Sequence, residues 1–187
     1  AERVKIQYGT SMCYPVSSMG SHVSVVPNHQ LNRKTPLHTR ANVAYFGTFG
    51  YELDLNKLSD EEISEVKQQI TFMKEYRELI QFGTFYRLKS PFEGNETAWM
   101  TVSEDKKTAL VFWYRERNIV NADFTRVRLQ GLDPDLIYRN EYNGTENYGD
   151  ELMNLGLLTT DCTAGEPTSE DEPCTDYESR VYVLTAK

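Results

Sequence analysis

The chain has 187 residues, of which 39% are hydrophobic and 12% aromatic, and its formal net charge is −8. This composition can form a hydrophobic core, and the length allows one ordinary domain or parts of two. The charge argues against nucleic acid as a partner, because Lys and Arg are interspersed with acids rather than clustered.

The first twelve residues, AERVKIQYGTSM, are typical of the end of a helix that Gly9 stops. No capping residue precedes Glu2, so we expect the chain to begin inside an element. These residues contain no n-region, long apolar run or cleavage site. The sequence therefore predicts neither a secretory signal nor a membrane span.

A strand is predicted over about residues 19–27, where valines alternate with small and polar residues until Pro27. A loop rich in hydrogen-bonding side chains follows. In α/β barrels such a loop lies on the face where substrates bind, so Asn28 and His29 are candidates for a pocket wall. The alternative for both side chains is a hydrogen bond to the backbone that stabilises the loop.

The next element is a helix predicted over about residues 37–50, with Thr39 as its cap. Gly47 and Gly50 would allow another element to approach the backbone of this helix closely. A second helix is predicted over about residues 59–82, because apolar residues recur there at intervals of three and four. Ser59 and Glu62 form the sequence of a capping box, and Gly83 stops the helix.

Beyond Gly83 the hydrophobic period changes from that of a helix to that of strands, which predicts antiparallel sheets and a β-sandwich of six to eight strands. A domain boundary is therefore expected at residues 83–84. The predicted strands cover residues 84–89, 98–102, 108–115, 124–129, 136–140 and 180–185.

Four aromatic side chains of this region could form a sugar-stacking platform, although aromatics at strand spacing are more often core residues. They are Trp99, Trp113, Tyr114 and Tyr138.

Residues 160–179 are polar, acidic and contain prolines, which indicates an exposed hairpin loop or a partly disordered one. Three cysteines do not suggest a disulfide framework, and reduced thiols in a cytoplasm are the simplest interpretation. Cys162 and Cys174 flank this loop, so a local disulfide is the alternative. The three histidines are not at metal-ligand spacing, so we expect no metal site. His22, within the strand, is expected to be a hydrogen-bonded interior residue.

A succession of motifs runs from Tyr14 to Leu55: MGSHVS, PNHQ, TPL, TR and FGTFGYELDL. This stretch closely resembles the last barrel strand and last barrel helix of glycoside hydrolase family 36, the retaining α-galactosidases that cleave melibiose and raffinose. The resemblance is looser through the following helix, residues 83–90 and residues 131–134. It implies that residues 1–83 are the C-terminal end of a (β/α)8 catalytic barrel and that residues 84–187 are an antiparallel β-sandwich domain. It also implies that the full enzyme needs no cofactor.

The resemblance also implies where the catalytic groups lie. A retaining glycosidase needs two carboxyl groups about 5–5.5 Å apart. In this family the general acid/base aspartate lies in a Ser-Asp-rich turn, shortly before the segment that residues 1–12 of this chain resemble. The nucleophilic aspartate lies further upstream. Neither motif occurs in the chain. Glu52 and Asp54 are interpreted as helix-end and turn acids, so we predict that the chain carries no catalytic residue.

Two functions are therefore considered. In the first, the chain is the C-terminal part of an α-galactosidase. Its partners are α-galactosides and the remainder of the barrel, the full-length enzyme is a homo-oligomer, and the chain alone is inactive. In the second, it is a self-standing carbohydrate-binding or interaction module whose aromatic β-sandwich is the working surface.

Overall fold

The computed structural model describes residues 2–119, 124–159 and 176–187. Cys162, Cys174 and most of the predicted loop lie outside these residues. No helix in the described ranges combines the length and the apolar character needed to cross a bilayer. The elements in chain order are α1 (Glu2–Thr10), β1 (His22–Ser24), α2 (Leu37–Ala44), β2 (Gly50–Glu52), α3 (Asp60–Phe82), β3 (Thr84–Lys89), β4 (Glu96–Val102), β5 (Thr108–Arg115), β6 (Arg126–Val127), β7 (Ile137–Asn140), β8 (Glu146–Tyr148), α4 (Gly149–Asn154), β9 (Leu157–Leu158) and β10 (Glu178–Ala186).

The N-terminal part is an α/β unit in which β1 and β2 pair in parallel and α2 connects them. The prediction of a helix over 37–50 was too long, because residues 50–52 form a strand. The Ser21 side chain marks the end of the helix: its hydroxyl donates to the Ala44 carbonyl oxygen at 2.6 Å and accepts from the Phe49 amide at 3.2 Å. The predicted strand over 19–27 is only three residues long. It is also followed by a second parallel strand, so it is not the last strand of the α/β part.

Gly47 lets this connection pack closely, as predicted. A Cβ atom at Gly47 would lie 2.4 Å from the Ser21 hydroxyl oxygen and 2.8 Å from the Met19 carbonyl oxygen, both closer than Cβ atoms approach in proteins. At Gly50 no atom lies within 4 Å of the Cβ position, so the same prediction was wrong there. Thr39 is not the helix cap either, since α2 begins at Leu37, and the Thr39 hydroxyl instead donates to the Tyr177 carbonyl oxygen at 3.2 Å.

Helix α3 begins with the predicted capping box. The Glu62 amide donates to the Ser59 hydroxyl at 3.2 Å, and the Ser59 amide donates to the Glu62 carboxylate at 3.0 Å. Each interaction satisfies one amide that the first turn of a helix would otherwise leave without a partner. Buried side chains follow the predicted apolar stripe of the helix at Val66, Met73 and Ile80.

The C-terminal part confirms the predicted antiparallel architecture. Six strands form one antiparallel sheet in the order β3-β4-β5-β10-β7-β8, and β6 pairs with β9 in a second, two-stranded sheet. All six predicted strands are present. Three short elements of two to six residues were not predicted from the sequence: β8, α4 and β9.

The central strands β4 and β5 are buried on both faces. Side chains that alternate along each strand enter two different hydrophobic clusters. Trp99, Leu110 and Phe112 pack against the α/β unit, whereas Met100, Val111 and Trp113 pack against the layer that contains β6 and β9. The large sheet is therefore the middle layer of the described chain.

Phe46, just beyond α2, connects the α/β unit to this sheet. Its ring centroid lies 5.8 Å from that of Trp99 and 5.9 Å from that of Phe112, and its side chain is almost completely buried. Polar contacts surround the junction. The buried Gln7 amide group donates to the Phe46 carbonyl oxygen at 3.1 Å, and the Asn42 amide group donates to the Ser179 hydroxyl at 3.1 Å.

Phe46→Ala is expected to lower the free energy of unfolding by about 3–5 kcal/mol, because it leaves a cavity between the α/β unit and the sheet. Phe82→Ala is the matched control, since Phe82 is 74% exposed, and it should change this free energy by less than about 0.5 kcal/mol. Denaturant unfolding measures both. Equal losses for the two variants would show that Phe46 does not hold the junction.

Candidate functional site

The two parallel strands have one apolar and one polar face. Val23 is fully buried in the core, and Tyr51 packs against the same cluster. Because successive side chains of a strand point to opposite faces, His22, Ser24 and Glu52 share the other face. Ser24 and Glu52 are paired in register at the carboxyl ends of their strands. This is the position where parallel α/β sheets bind ligands.

Hydrogen bonds join this polar face to the first turn of α1. The Arg3 guanidinium donates to the Ser24 hydroxyl at 3.1 Å and to the His22 carbonyl oxygen at 3.3 Å. Nε2 of His22 lies 2.6 Å from a carboxylate oxygen of Glu52 and 3.1 Å from the Arg3 guanidinium. The same ring nitrogen cannot donate a hydrogen bond to Glu52 and accept one from Arg3. We assign the proton to Nε2, which donates to Glu52 over the shorter distance.

The loop that follows β1 is ordered by its own backbone. The Asn28 side-chain oxygen accepts hydrogen bonds from the Gln30 and Leu31 amides, each at 3.0 Å. This is the loop-stabilising role that the sequence analysis gave as the alternative. Asn28 also lines a cavity of about 390 Å³ that Arg3, His22 and Ser24 border. His29 is exposed and does not line that cavity.

Arg40 of α2 fixes where this loop begins and ends. Its guanidinium donates to the Ser24 carbonyl oxygen at 2.6 Å and to the Thr35 carbonyl oxygen at 3.0 Å. Burial lowers the pKa of Arg40, an effect that the nearby Glu62 and Glu65 oppose. An arginine remains charged at neutral pH even so, and both hydrogen bonds are therefore charge-assisted.

The predicted sugar-stacking platform is absent from the described surface. Trp99, Trp113, Tyr114 and Tyr138 are all buried, with at most 3% of each exposed. They are core residues, as the sequence analysis favoured. The described residues also contain no group of three or more His, Cys, Asp or Glu side chains that could hold a metal ion.

Two family models match the chain. The model described as Melibiase matches residues 1–83, and the model described as Glycosyl hydrolase family 36 C-terminal domain matches residues 96–184. Together they leave out only residues 84–95 and the last three. The chain belongs to glycoside hydrolase family 36.

Relatives within family 36 include α-galactosidase AgaA of Geobacillus stearothermophilus, which is 55% identical over 155 residues that make up 83% of this chain and 21% of AgaA. Its crystal structure matches 99% of this chain with a TM-score of 0.89 and 48% identity, over 24% of its own length. The α-galactosidase of Lactobacillus brevis matches the whole chain with a TM-score of 0.91 and 44% identity, over 25% of its length. The chain thus spans about a fifth to a quarter of these proteins.

The polar face of this family 36 chain includes residues that the sequence analysis did not select. Glu52 was interpreted as a helix-end acid, which was wrong because it ends strand β2. Arg3 was not considered. The signal that identifies Glu52 is the alternation in Gly50–Glu52, in which Tyr51 is the only large apolar residue. Three residues were too few to distinguish this strand from a helix end.

Arg40→Met should remove both charge-assisted hydrogen bonds at the ends of the loop while keeping most of the apolar side chain. We expect the free energy of unfolding to fall by about 1.5–3 kcal/mol. Faster amide exchange is expected at Asn28 and Asn32, whose amides donate to carbonyl oxygens within the loop. Arg77→Met, on the exposed face of α3, should leave both quantities unchanged. Unaltered exchange at Asn28 in the Arg40 variant would contradict this role.

Proposed function

We propose that the chain is part of a retaining α-galactosidase that hydrolyses terminal α-galactosyl bonds of melibiose- and raffinose-type sugars. The observation that carries the proposal is the family 36 match over both halves of the chain, together with close relatives named α-galactosidases. Variants of AgaA have been crystallised with raffinose and with stachyose. The formal charge of −8 is compatible with such neutral substrates.

In this proposal residues 1–83 supply strand and helix units to a (β/α)8 barrel, and residues 84–187 form the antiparallel domain that closes on it. The parallel pairing of β1 with β2 supports a barrel, because barrel strands are parallel and are connected by helices. Within the described residues, β1 and β2 pair only with each other. Their outer edges would pair with further strands of the barrel, which we propose as the principal partner of the chain.

The catalytic carboxylates would come from the rest of this barrel, through the two-carboxylate mechanism of retaining enzymes. We retain the assignment of Asn28 and His29 to the pocket wall as a proposal from the sequence, although only Asn28 lines the cavity beside the polar face. The position of Asn28 on the cavity beside the polar face supports its assignment. A cytoplasmic location, a role in carbohydrate metabolism and a homo-oligomeric full-length enzyme, all expected from the sequence analysis, complete the proposal.

Hydrolysis of an aryl α-galactoside tests the proposed activity. The 187-residue chain alone should show no turnover, whereas the protein extended upstream to the length of its relatives should hydrolyse the substrate. Proton NMR should detect α-galactose as the first product, since a retaining mechanism preserves the anomeric configuration. Turnover that increases with the concentration of the chain alone, or β-galactose as the first product, would overturn the proposal.

The alternative function, a self-standing sugar-binding module, is disfavoured by the burial of all four aromatic side chains of its expected surface. We therefore expect no heat of binding when galactose or melibiose is titrated calorimetrically into the chain alone. The extended protein, titrated in the same way, is the positive control. Saturable binding to the chain alone would favour the module instead.

A further inference from the structure

Within the described chain, the carboxylate of Glu52 is held in place and open to solvent. One of its oxygens accepts from Nε2 of His22 at 2.6 Å, and the side chain is 71% exposed. No second hydrogen bond to this carboxylate occurs within the described residues. Because an ionised carboxylate can accept about four hydrogen bonds, Glu52 keeps most of its capacity for a ligand.

His22 is in turn fixed by its surroundings. Arg3 donates to the carbonyl oxygen of His22 and to the hydroxyl of the neighbouring Ser24. The carboxylate is thereby oriented by a residue that is itself held in position, which is how binding groups are pre-organised for a ligand.

The charges of the cluster select the class of ligand. The cluster consists of Arg3, His22 and Glu52. Arg3 and Glu52 carry opposite charges, so these three side chains together have no net charge when His22 is neutral. The exposed carboxylate of Glu52 would repel an anion that approached it. A neutral ligand that presents hydroxyl donors would be attracted, since hydrogen bonds to an ionised acceptor are stronger than those between neutral groups.

The location of Glu52 in the fold also favours a ligand contact. Glu52 is the last residue of β2, and the carboxyl ends of parallel strands are where α/β folds bind their ligands. We propose that Glu52 binds a hydroxyl group of the galactosyl substrate, with His22 and Arg3 as positioning residues. This inference rests on the proposed function, because it assigns a substrate contact to the same active centre.

A purely structural ion pair between the two strands is the competing explanation. Exposed ion pairs contribute little to stability, so removing one would change neither sugar affinity nor folding appreciably. A substrate contact predicts a large change in affinity and a small change in stability. The two explanations therefore differ in a measurable way.

The test uses the extended protein and galactose as a competitive inhibitor of aryl α-galactoside hydrolysis. Glu52→Gln should raise the inhibition constant of galactose at least about tenfold, the effect of losing a charged hydrogen bond. Glu78→Gln removes the same charge from the exposed face of α3 and should leave the constant unchanged. The melting temperature of both variants should stay within about 2 °C of wild type.

Singly deoxygenated galactoses identify the contact directly. One of them should inhibit wild type more weakly than galactose does, and this difference should disappear in Glu52→Gln. The comparison is a ratio within one variant, so partial unfolding does not affect it. His22→Leu should give an inhibition constant between those of wild type and Glu52→Gln, and His22→Gln, which keeps a side-chain donor, should restore it.

If the unmodified protein hydrolyses no α-galactoside, the proposed function itself fails. If it does, and Glu52→Gln binds galactose and every deoxygenated analogue as wild type does, only the assignment of Glu52 is overturned. An equal loss of affinity for all the sugars, together with a fall in melting temperature, would also overturn it, because the substitution would then act through the fold rather than through a contact with one hydroxyl group.

Discussion

The packing of Phe46 between Trp99 and Phe112 is the contact on which the described structure depends. Strands β4 and β5 expose neither face to solvent, so the sheet needs a layer on both sides. The α/β unit provides one of these layers, and Phe46 is the residue that brings its aromatic ring against Trp99 and Phe112. Since aromatic side chains bury large apolar areas, this junction fixes the position of β1 and β2 relative to the sheet.

Contacts on the buried face of β2 fix the position of this strand and therefore of its polar face. The Tyr51 hydroxyl donates to the side-chain oxygen of Gln69 at 2.9 Å, and the Gln69 amide group donates to Glu65 at 2.7 Å. Burial raises the pKa of Tyr51 to about 12, so its phenol remains a neutral donor at physiological pH. Strand β2 is thereby anchored to α3 on one face, and alternation directs Glu52 away from the core on the other.

Elements with a long, consistent period could be predicted from the sequence, and short ones could not. Helix α3 has six turns of apolar residues and a capping box, and β4 and β5 are runs of aromatic and β-branched residues. Strand β2 has three residues, and it is defined by its pairing with β1 rather than by local preference, while the hydrogen bonds of Ser21 end the helix before it. The pair of His22 and Glu52 joins residues thirty positions apart on two strands, one of which had not been recognised.

In the proposed enzyme, the same geometry allows substrate binding and bond cleavage to be carried out by different segments. A parallel sheet is ordinarily buried on both faces and along its length, yet β1 and β2 have three residues each and combine an apolar face with a polar one. A barrel reconciles these features, because its outer face packs against helices while its interior and the carboxyl ends of its strands can hold polar groups. In that setting Glu52 does not need to act in bond cleavage. A carboxylate that only accepts sugar hydroxyls can be supplied by a segment far in sequence from the two carboxylates that carry out the reaction.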